Sequence, residues 1–430
     1  MTAVARPPDA TDPGAAALTN RPIPSPGSLN VDWEERWNVE RMRSYRLGRA
    51  RAALAASDLG AVLLFDFNNI RYTTSTHIGE WARDKMTRYA LLSRGGDPHV
   101  WDFGSAAKHH RLNCPWMRPE NIHAGMVGLR GAVAADAGLF RSAAKEIARI
   151  LKDEGVADMP IGIDLAEPPM LAALAEEGVK VLDAQQVMLD AREVKSIDEI
   201  ILLNTACAMV DGAYQMLAEQ LKPGVRESEL VANVTKALFD MGSEHVDNIN
   251  AVSGERCSPH PHVFSDRLIR PGDQAFFDII QTFVGYKTCY YRTFTVGMAT
   301  DAQRDAYKMA REWMDVAIEA IKPGVGTDQV AKLLPKATDF GFENELAAFG
   351  LQFAHGLGLG LHERPIISRL NSLDHPVELK EGMVIALETY CPAKDGYSAA
   401  RIEEEVVVTR DGPRVITKFP SAELFVANAY

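Results

Sequence analysis

The sequence predicts an α+β protein with an N-terminal α/β domain and a C-terminal domain built from two matching units. Two observations support this prediction. Apolar, strand-like segments alternate with helical segments over residues 32–190, which is typical of an α/β domain. Over residues 191–430, a succession of helix, helix and strand occurs twice. The length of 430 residues agrees with two or three domains.

Residues 1–31 are predicted to form an N-terminal arm outside both domains. They are rich in proline, alanine and small polar residues, and they contain no apolar stretch of signal-peptide length. Such an arm is either disordered or lies along the surface. A plain tail and a role in subunit contact are equally compatible with this composition.

The N-terminal domain is predicted to begin with a charged, Leu/Ala-rich helix over Val31–Ala56, followed by a buried strand at Ala61–Phe65. Asn68–Asn69 is predicted to form a turn. The later helices are predicted at Phe140–Leu151 and Pro168–Glu177. The later strands are predicted at Tyr89–Leu92, Val100–Phe103, Pro160–Asp164 and Val179–Leu182.

In the C-terminal domain, each unit starts with a long helical pattern that ends in Lys-Pro-Gly-Val. Gly224 and Gly324 suit a left-handed turn, and the preceding prolines cannot continue a helix. The four predicted helices are Ile200–Leu221, Glu227–Met241, Arg304–Ile321 and Thr327–Gly341.

Each unit then reaches a strand with a carboxylate at the same offset. Asp278 lies six residues after Gly272, and Glu388 lies six residues after Gly382. Neither unit can bury a sheet alone, but two units packed back to back can. This arrangement would bring Asp278 and Glu388 together at a pseudo-twofold axis.

Charge and cysteine usage exclude several classes of protein. The formal net charge of −12 argues against a nucleic-acid or anionic-membrane partner. No continuous apolar run approaches the about 18 residues that span a bilayer. The five cysteines are scattered and form no CxxC pair, which favours reduced thiols and a cytoplasmic location.

Four residues in apolar or glycine-rich segments are candidate metal ligands: Asp278, His355, Glu388 and Glu403. Burying a carboxylate is costly unless it is paired or bound to a metal. Together these residue types suit Mn, Fe, Co or Zn. Any one of them alone is better explained as a structural ion pair or, for His355, as a core histidine.

Two further motifs contain glycines or histidines of the kinds that line binding sites. The glycines of GLGLG (Gly356, Gly358 and Gly360) lack the spacing and the strand–turn–helix context of a dinucleotide loop. His260 and His262, one residue apart, point either to one pocket or to the surface, with equal weight.

These motifs resemble those of the M24 metallopeptidase/creatinase superfamily, which includes methionine aminopeptidase, aminopeptidase P, prolidase, creatinase and the DddP-type dimethylsulfoniopropionate lyase. The similar segments lie at Pro271–Phe294, Ala354–Pro365, Glu381–Glu388 and Arg401–Val408. The stretch RMRSYRLGRARAAL…AVLLFDFNNIRYTT is similar to a creatinase-type N-terminal domain, and to that of the lyase in particular. The resemblance implies a pita-bread fold, a site between its two repeats, and a homodimer.

The peptidase members use five ligands for two metal ions, and the resemblance carries over four: Asp278, His355, Glu388 and Glu403. The fifth should be an aspartate eleven residues after the first, where this chain has Cys289. The lyase pattern has a further aspartate where this chain has Ile280. Three interpretations of Cys289 follow: a soft ligand in a one-metal or altered site, a small apolar filler in a site with weakened metal affinity, or a reactive thiol. The resemblance leaves the number of ions at one or two.

Three functions follow from the resemblance. The first is metal-dependent hydrolysis of an amide or C–N bond in a small substrate such as an Xaa-Pro dipeptide. Glu388 would be the general base, His362 would donate to the oxyanion or leaving nitrogen, and His260 or His262 would orient the substrate. Arg401, and also Arg292, would steady the carboxylates.

The second function is turnover of a small zwitterion, either by a lyase giving acrylate and dimethyl sulfide or by a metal-free, creatinase-like hydrolase. Aromatic rings would hold its cation. The candidate rings are Trp81, Tyr89, Tyr290, Tyr291 and Tyr390. The third function is that of a non-catalytic pita-bread binding module.

Overall fold

The computed structural model describes residues 37–83, 87–126, 131–348 and 353–430. The chain forms two compact units, Met1–Arg192 and Glu193–Tyr430. This division lies within two residues of the predicted boundary at 190/191. The predicted arm, 1–31, lies outside the described residues.

The N-terminal unit contains a six-stranded mixed sheet in the order β4-β3-β2-β1-β5-β6. Strand β1 pairs antiparallel with β2 and parallel with β5. The strands are β1 (Ala61–Leu64), β2 (Tyr89–Ser93), β3 (His99–Asp102), β4 (Ile122–Ala124), β5 (Ile161–Ile163) and β6 (Val181–Asp183). The predicted α/β character of this part of the chain is therefore present.

Helices pack on this sheet through their apolar residues. The helices are α1 (Val39–Ala56), α2 (Phe67–Thr74), α3 (Gly104–Asn113), α4 (Leu139–Asp153), α5 (Pro168–Glu176) and α6 (Gln185–Arg192). The α4 residues Phe140, Ile147 and Leu151 share a buried core with the sheet residues Tyr89 and Trp101. This spacing of seven and four residues gives α4 a single apolar face.

The predicted turn at Asn68–Asn69 is wrong, since both residues lie in the first turn of α2. The side chain of Asp66 accepts hydrogen bonds from the backbone N–H groups of Asn68 and Asn69, at 2.9 and 3.1 Å. This N-cap satisfies two donors at the start of the helix. An Asp-x-Asn-Asn run is therefore a helix start here, although its composition is that of a turn.

The C-terminal unit contains the repeated helix pairs. The helices are α7 (Ile197–Gln220), α8 (Glu227–Asp240), α9 (Asp301–Ala320) and α10 (Thr327–Leu333). Ser196 and Thr300 form capping boxes at the starts of α7 and α9. The helix-stop glycines Gly224 and Gly324 have φ angles of 90° and 87°, as the left-handed turn requires.

The second helix of the second repeat is shorter than predicted. Helix α10 ends at Leu333, and only a 3₁₀ turn follows at Ala337–Phe340. Pro335 explains the early stop, because a proline disfavours helical angles in the preceding residue. Leu334 is accordingly extended, with φ of −95° and ψ of 153°.

Two sheets complete this unit, a four-stranded sheet in the order β15-β9-β8-β7 and a five-stranded sheet in the order β11-β10-β12-β13-β14. Their strands are β7 (His245–Ser253), β8 (Gln274–Phe283), β9 (Tyr286–Val296), β10 (Ala354–Gly356), β11 (Glu363–Ile367), β12 (Val384–Pro392), β13 (Ala399–Thr409), β14 (Gly412–Val415) and β15 (Phe425–Ala427). The Thr293 hydroxyl on β9 accepts from Arg401 N and donates to Arg401 O on β13, at 2.8 and 2.6 Å. The two sheets therefore meet along β9 and β13.

Among the described residues, one helix, α7, is long and apolar enough to cross a membrane by length and composition alone. Half of its most apolar window is buried inside the protein. Leu203, Val210 and Leu217 on α7 are fully buried, and the latter two belong to the core formed with β8 and β9. A buried core helix accounts for this composition.

Candidate metal and catalytic site

The five predicted metal ligands lie where the strands of the two repeats face each other. Each is buried, with an exposed fraction of 6% or less. They are Asp278 on β8, Cys289 on β9, His355 on β10, Glu388 on β12 and Glu403 on β13. Asp278 and Cys289 come from the first repeat, and the other three come from the second.

Three of the five offer ligand atoms at distances suited to a single ion. Cys289 Sγ lies 3.9 Å from Glu403 Oε2, and His355 Nε2 lies 3.9 Å from Glu403 Oε1. Among the described residues, Cys289, His355 and Glu403 form the group of potential ligands whose atoms all lie within 4.8 Å of one another. The predicted set is thus brought together, with these three at its centre.

One buried atom in this group has no hydrogen-bond partner among the described residues, namely Glu403 Oε1. An unsatisfied buried oxygen is costly, and more so on a carboxylate. A divalent cation beside Glu403 would remove that cost. The donor set and the unsatisfied oxygen both fit a metal ion at this place.

The tautomer of His355 also suits metal binding. His355 Nδ1 lies 3.0 Å from Gly356 O. Because a carbonyl oxygen only accepts, the neutral imidazole carries its proton on Nδ1 and presents the lone pair of Nε2 toward Glu403. A metal-binding histidine is usually oriented by such a hydrogen bond from its other ring nitrogen.

Burial and crowding of acids shift the pKa values of this cluster. Burial raises the pKa of Asp278 to about 7, and the charge of Glu388 adds to the rise while Arg401 opposes it. Burial and the neighbouring carboxylates also raise the pKa of Glu403. Burial lowers the pKa of His355.

The pKa of the Cys289 thiol is shifted in the direction that disfavours a free thiolate nucleophile. Burial, followed by the charges of Asp278 and Glu403, raises its pKa well above the ordinary value. Reactive thiols instead need an electropositive setting that lowers the pKa. The thiol donates to Asp278 Oδ1 at 3.5 Å.

A guanidinium links the ligand cluster to the histidines. Arg401 donates through Nη2 to Glu388 Oε2 and through Nη1 to His260 Nε2. Its guanidinium carbon also lies 4.3 Å from the ring centroid of Tyr291. The prediction that Arg401 steadies a carboxylate agrees with this geometry.

Arg292, the other arginine proposed for that role, lies on the opposite face of its strand. It donates to Glu404 Oε2 at 2.9 Å, and its Nη1 donates to the backbone oxygen of Glu403. Because side chains alternate along a strand, Glu404 points away from Glu403. Arg292 therefore supports the strand and not the ligand side chains.

The predicted catalytic histidines form two close pairs. The ring centroids of His355 and His362 are 4.4 Å apart, and those of His260 and His262 are 4.5 Å apart. Burial lowers the pKa of His260 to about 3 and that of His362 to about 4. Both rings are therefore neutral near pH 7.

The proposed aromatic cage is only partly present. Tyr291 and Tyr390 lie at the site, with the Tyr390 ring centroid 5.3 Å from that of His260. Tyr290 is fully buried and donates to Asp211 on the helix side of the sheet. Tyr89 lies in the core of the N-terminal unit, and Trp81 of that unit is 61% exposed.

Sequence reasoning missed two residues that hold the cluster in place. The amide of Asn250, directly opposite Asp278 on β7, donates to Asp278 Oδ2 at 2.9 Å and to the Tyr291 hydroxyl at 3.0 Å. Glu405 Oε1 accepts from the backbone N–H of Cys289 at 2.8 Å. The alternation of β13 was an available signal, since Arg401, Glu403 and Glu405 share one face.

The part of the chain that carries the site is similar to known proteins. Residues 202–410 match the model of metallopeptidase family M24. The chain is 26% identical over 402 residues to the dimethylsulfoniopropionate lyase DddP of Roseovarius nubinhibens, an alignment that covers 89% of this chain and 87% of the lyase. It is 34% identical over 239 residues to the Xaa-Pro dipeptidase of Pyrococcus furiosus, covering 54% of this chain. The match spans 65% of the length of that dipeptidase.

Solved structures share the fold of this chain. Dipeptidase PepE from Mycobacterium ulcerans superposes with a TM-score of 0.72 at 23% identity, over 92% of this chain and all of that chain. The Xaa-Pro dipeptidase from Bacillus anthracis superposes with a TM-score of 0.69 at 21% identity, over 89% of this chain and 99% of that chain. At these identities the likeness shows the fold. The C-terminal unit, which carries all five predicted ligands, therefore has the pita-bread fold of these solved structures, and residues 202–410 within it match metallopeptidase family M24.

Proposed function

We propose that this protein is a metal-dependent hydrolase that cleaves the amide bond of a small substrate, with Xaa-Pro dipeptides as the first candidates. The observation that carries the proposal is the buried group of Cys289, His355 and Glu403 next to the Glu388–Arg401 pair. The likeness to an Xaa-Pro dipeptidase supports the choice of substrate.

Asp278, Cys289, His355, Glu388 and Glu403 are the residues available to hold a divalent ion. When bound, such an ion polarises a substrate carbonyl and lowers the pKa of a coordinated water toward about 7. The remaining roles belong to side chains of this chain.

Glu388 is the proposed general base. Arg401 holds Glu388 Oε2, which fixes the carboxylate and leaves Oε1 to take the proton of the attacking water. Arg401 therefore acts as a positioning residue for the base.

His260 is proposed to orient the substrate. Since Arg401 donates to its Nε2, the neutral ring of His260 carries its proton on Nδ1. This Nδ1 is buried and has no hydrogen-bond partner among the described residues. It is thus available to donate to a carbonyl or carboxylate of a substrate, and His262 packs edge-on against the same ring.

His362 is proposed to stabilise the developing oxyanion. With its pKa lowered to about 4, the ring is neutral at pH 7, and it can donate a hydrogen bond without giving up its proton. Its ring lies beside His355. Glu388, which carries the proton taken from water, then protonates the leaving nitrogen.

The test is a panel of Xaa-Pro and non-proline dipeptides, assayed with protein purified without chelator. Hydrolysis of Xaa-Pro substrates that stops after chelation and returns with added metal is the expected result. Activity that persists after complete metal removal would instead support a creatinase-like hydrolase. The absence of turnover on every substrate would favour a non-catalytic binding module.

The second candidate is a lyase acting on a small sulfonium zwitterion. The alignment to the DddP lyase over 89% of this chain favours it, as do Tyr291 and Tyr390 at the site. One face of Tyr291 is already covered by Arg401, which reduces its capacity for a substrate cation. Release of dimethyl sulfide from dimethylsulfoniopropionate, without dipeptide hydrolysis, would select this function.

We also propose that the protein is a cytoplasmic homodimer with no nucleic-acid or membrane partner. The resemblance to creatinase-type proteins supports the dimer, and the net charge of −12 disfavours polyanionic partners. Light scattering of the purified protein tests the dimer, since a mass near 47 kDa would contradict it.

A further inference from the structure

We infer that the site binds one thiophilic divalent ion, with Zn²⁺ preferred, through Cys289, His355 and Glu403, and that Asp278 and Glu388 remain outside its inner coordination shell. The inference deepens the proposed function and rests on it, since it names the number and kind of ion that the hydrolase would use. It departs from the two-ion arrangement that the resemblance implies.

The distances within the trio suit a four-coordinate ion. Bond lengths of about 2.0–2.3 Å to N, O and S at tetrahedral angles separate two ligand atoms by roughly 3.3–3.6 Å. The Cys289 Sγ–Glu403 Oε2 and His355 Nε2–Glu403 Oε1 separations are both 3.9 Å, and one ligand atom from each residue lies within 4.8 Å of the other two. Shifts of about 1 Å would therefore bring the three residues around one ion. Three protein ligands also leave a fourth position for water or substrate.

The two excluded carboxylates already have partners. Glu388 Oε2 is held by the guanidinium of Arg401, and Asp278 Oδ2 accepts from the amide of Asn250. Neither belongs to the group whose atoms lie within 4.8 Å of one another in the described part of the chain. A second ion would have to draw Glu388 away from a buried guanidinium, which is costly.

Hydrogen bonds hold the backbone that carries the sulfur atom. Glu405 holds the N–H of Cys289, and Thr288 donates to the same carboxylate oxygen. A thiolate at this place favours Zn²⁺ or Fe²⁺ over Mn²⁺ and Mg²⁺, which prefer oxygen ligands. On binding, the thiol gives its proton to solvent and forms the metal–sulfur bond.

The first measurement needs only the wild-type protein. It is loaded with Zn²⁺, freed of excess metal and analysed by mass spectrometry, and it is then loaded with Co²⁺ for spectroscopy. We expect one Zn²⁺ per chain and a near-ultraviolet thiolate-to-cobalt charge-transfer band. Two ions per chain, or a cobalt form without that band, would overturn the inference.

Two cysteine variants test whether the sulfur ligand is that of Cys289. Cys289→Ser should lose the cobalt band and bind Zn²⁺ at least about tenfold more weakly. Cys391→Ser is the matched control, because Cys391 is a buried cysteine on β12 that packs in the helix-side core. It should keep both the band and the affinity. A band that survives in Cys289→Ser would contradict the assignment.

Replacing Cys289 by aspartate tests how many ions the site holds. Cys289→Asp restores an oxygen ligand and should raise the capacity for Mn²⁺ or Co²⁺ from one ion to two, and an unchanged capacity would count against the inference. One bound Zn²⁺ with no dipeptide hydrolysis would leave the inference standing and refute the proposed function. Hydrolysis by a protein that holds two ions would refute the inference and leave the proposed function standing.

Discussion

Glu388 and Glu403 lie directly opposite each other on the antiparallel strands β12 and β13, and both are buried. Two like charges at this position repel each other. Arg401, two residues before Glu403 on the same strand face, donates to Glu388 and relieves part of the repulsion. The charge balance of the site therefore depends on one guanidinium.

Removing that guanidinium should destabilise the metal-free protein. Arg401→Met leaves Glu388 buried without its cation, at a cost of about 3 kcal/mol in the free energy of unfolding. The double variant Arg401→Met/Glu388→Gln should lose less than the sum of the single losses, because both changes remove the same pair. Urea unfolding in chelator measures all four proteins, and strictly additive losses would contradict the pairing.

Glu388→Gln should abolish most of the activity while keeping the metal. Loss of a general base lowers kcat/KM by about 10²–10⁴-fold. The metal content should stay unchanged if Glu388 lies outside the inner shell of the ion. Glu381→Gln, an exposed glutamate at the turn before the same strand, is the control and should behave as wild type. Loss of metal from Glu388→Gln would make Glu388 a ligand.

Metal removal should lower the melting temperature. A ligand that binds only the folded state stabilises it by about 2.7 kcal/mol at a free concentration of one hundred times Kd. Chelation should remove that stabilisation, and added Zn²⁺ should restore it. His355→Gln should melt at the same temperature with or without Zn²⁺, whereas His375→Gln, at an exposed histidine, should retain the full shift.

The N-terminal unit should lose stability in mild acid through His123. Burial, opposed by the charge of Glu146, lowers the pKa of His123 to about 4, with smaller lowering contributions from His99, Arg111 and Arg149. The unfolded chain has the ordinary value near 6.5. The stabilisation is therefore complete above pH 6.5 and is lost as the pH falls toward 4, by up to about 3 kcal/mol.

The structural cause is the ring stack around His123. Its ring stacks on Trp101 with centroids 4.5 Å apart, and its Nε2 lies 3.0 Å from His99 Nδ1. His123→Gln should flatten the dependence of unfolding free energy on pH between 4 and 6.5. His109→Gln, at an exposed position, should leave the dependence as it is. An equal pH dependence in all three proteins would exclude His123 as its source.

The repeat made much of the C-terminal fold predictable. Its helices, glycine stops and strand carboxylates occur at matching offsets, and the structure contains each of them. The errors came from local rules that the pattern does not encode. Asp66 turned an apparent turn into a helix start, and Pro335 shortened α10.

The site was predictable as a set of residues and not as a geometry. Isolated carboxylates in apolar strands and the similarity of motifs identified the candidate ligands, which the strands bring together. The strand pairing that aligns Asn250 with Asp278 depends on register, which no local motif specifies. Tyr290 lies outside the site because its side chain points to the helix side of the sheet. Only the register of β9 with its neighbours determines which face of the strand that is.

Glu405 accepts a hydrogen bond from the backbone N–H of Cys289, so the position of the strand does not depend on the Cys289 side chain. This carboxylate binds the main chain of Cys289, the hydroxyl of Thr288 and the thiol of Cys207, and it needs nothing from the Cys289 side chain. Exchanging that side chain should therefore change which ion the site prefers while the strand keeps its position. Under the one-ion proposal, a single exchangeable side chain on a fixed backbone would set the metal preference.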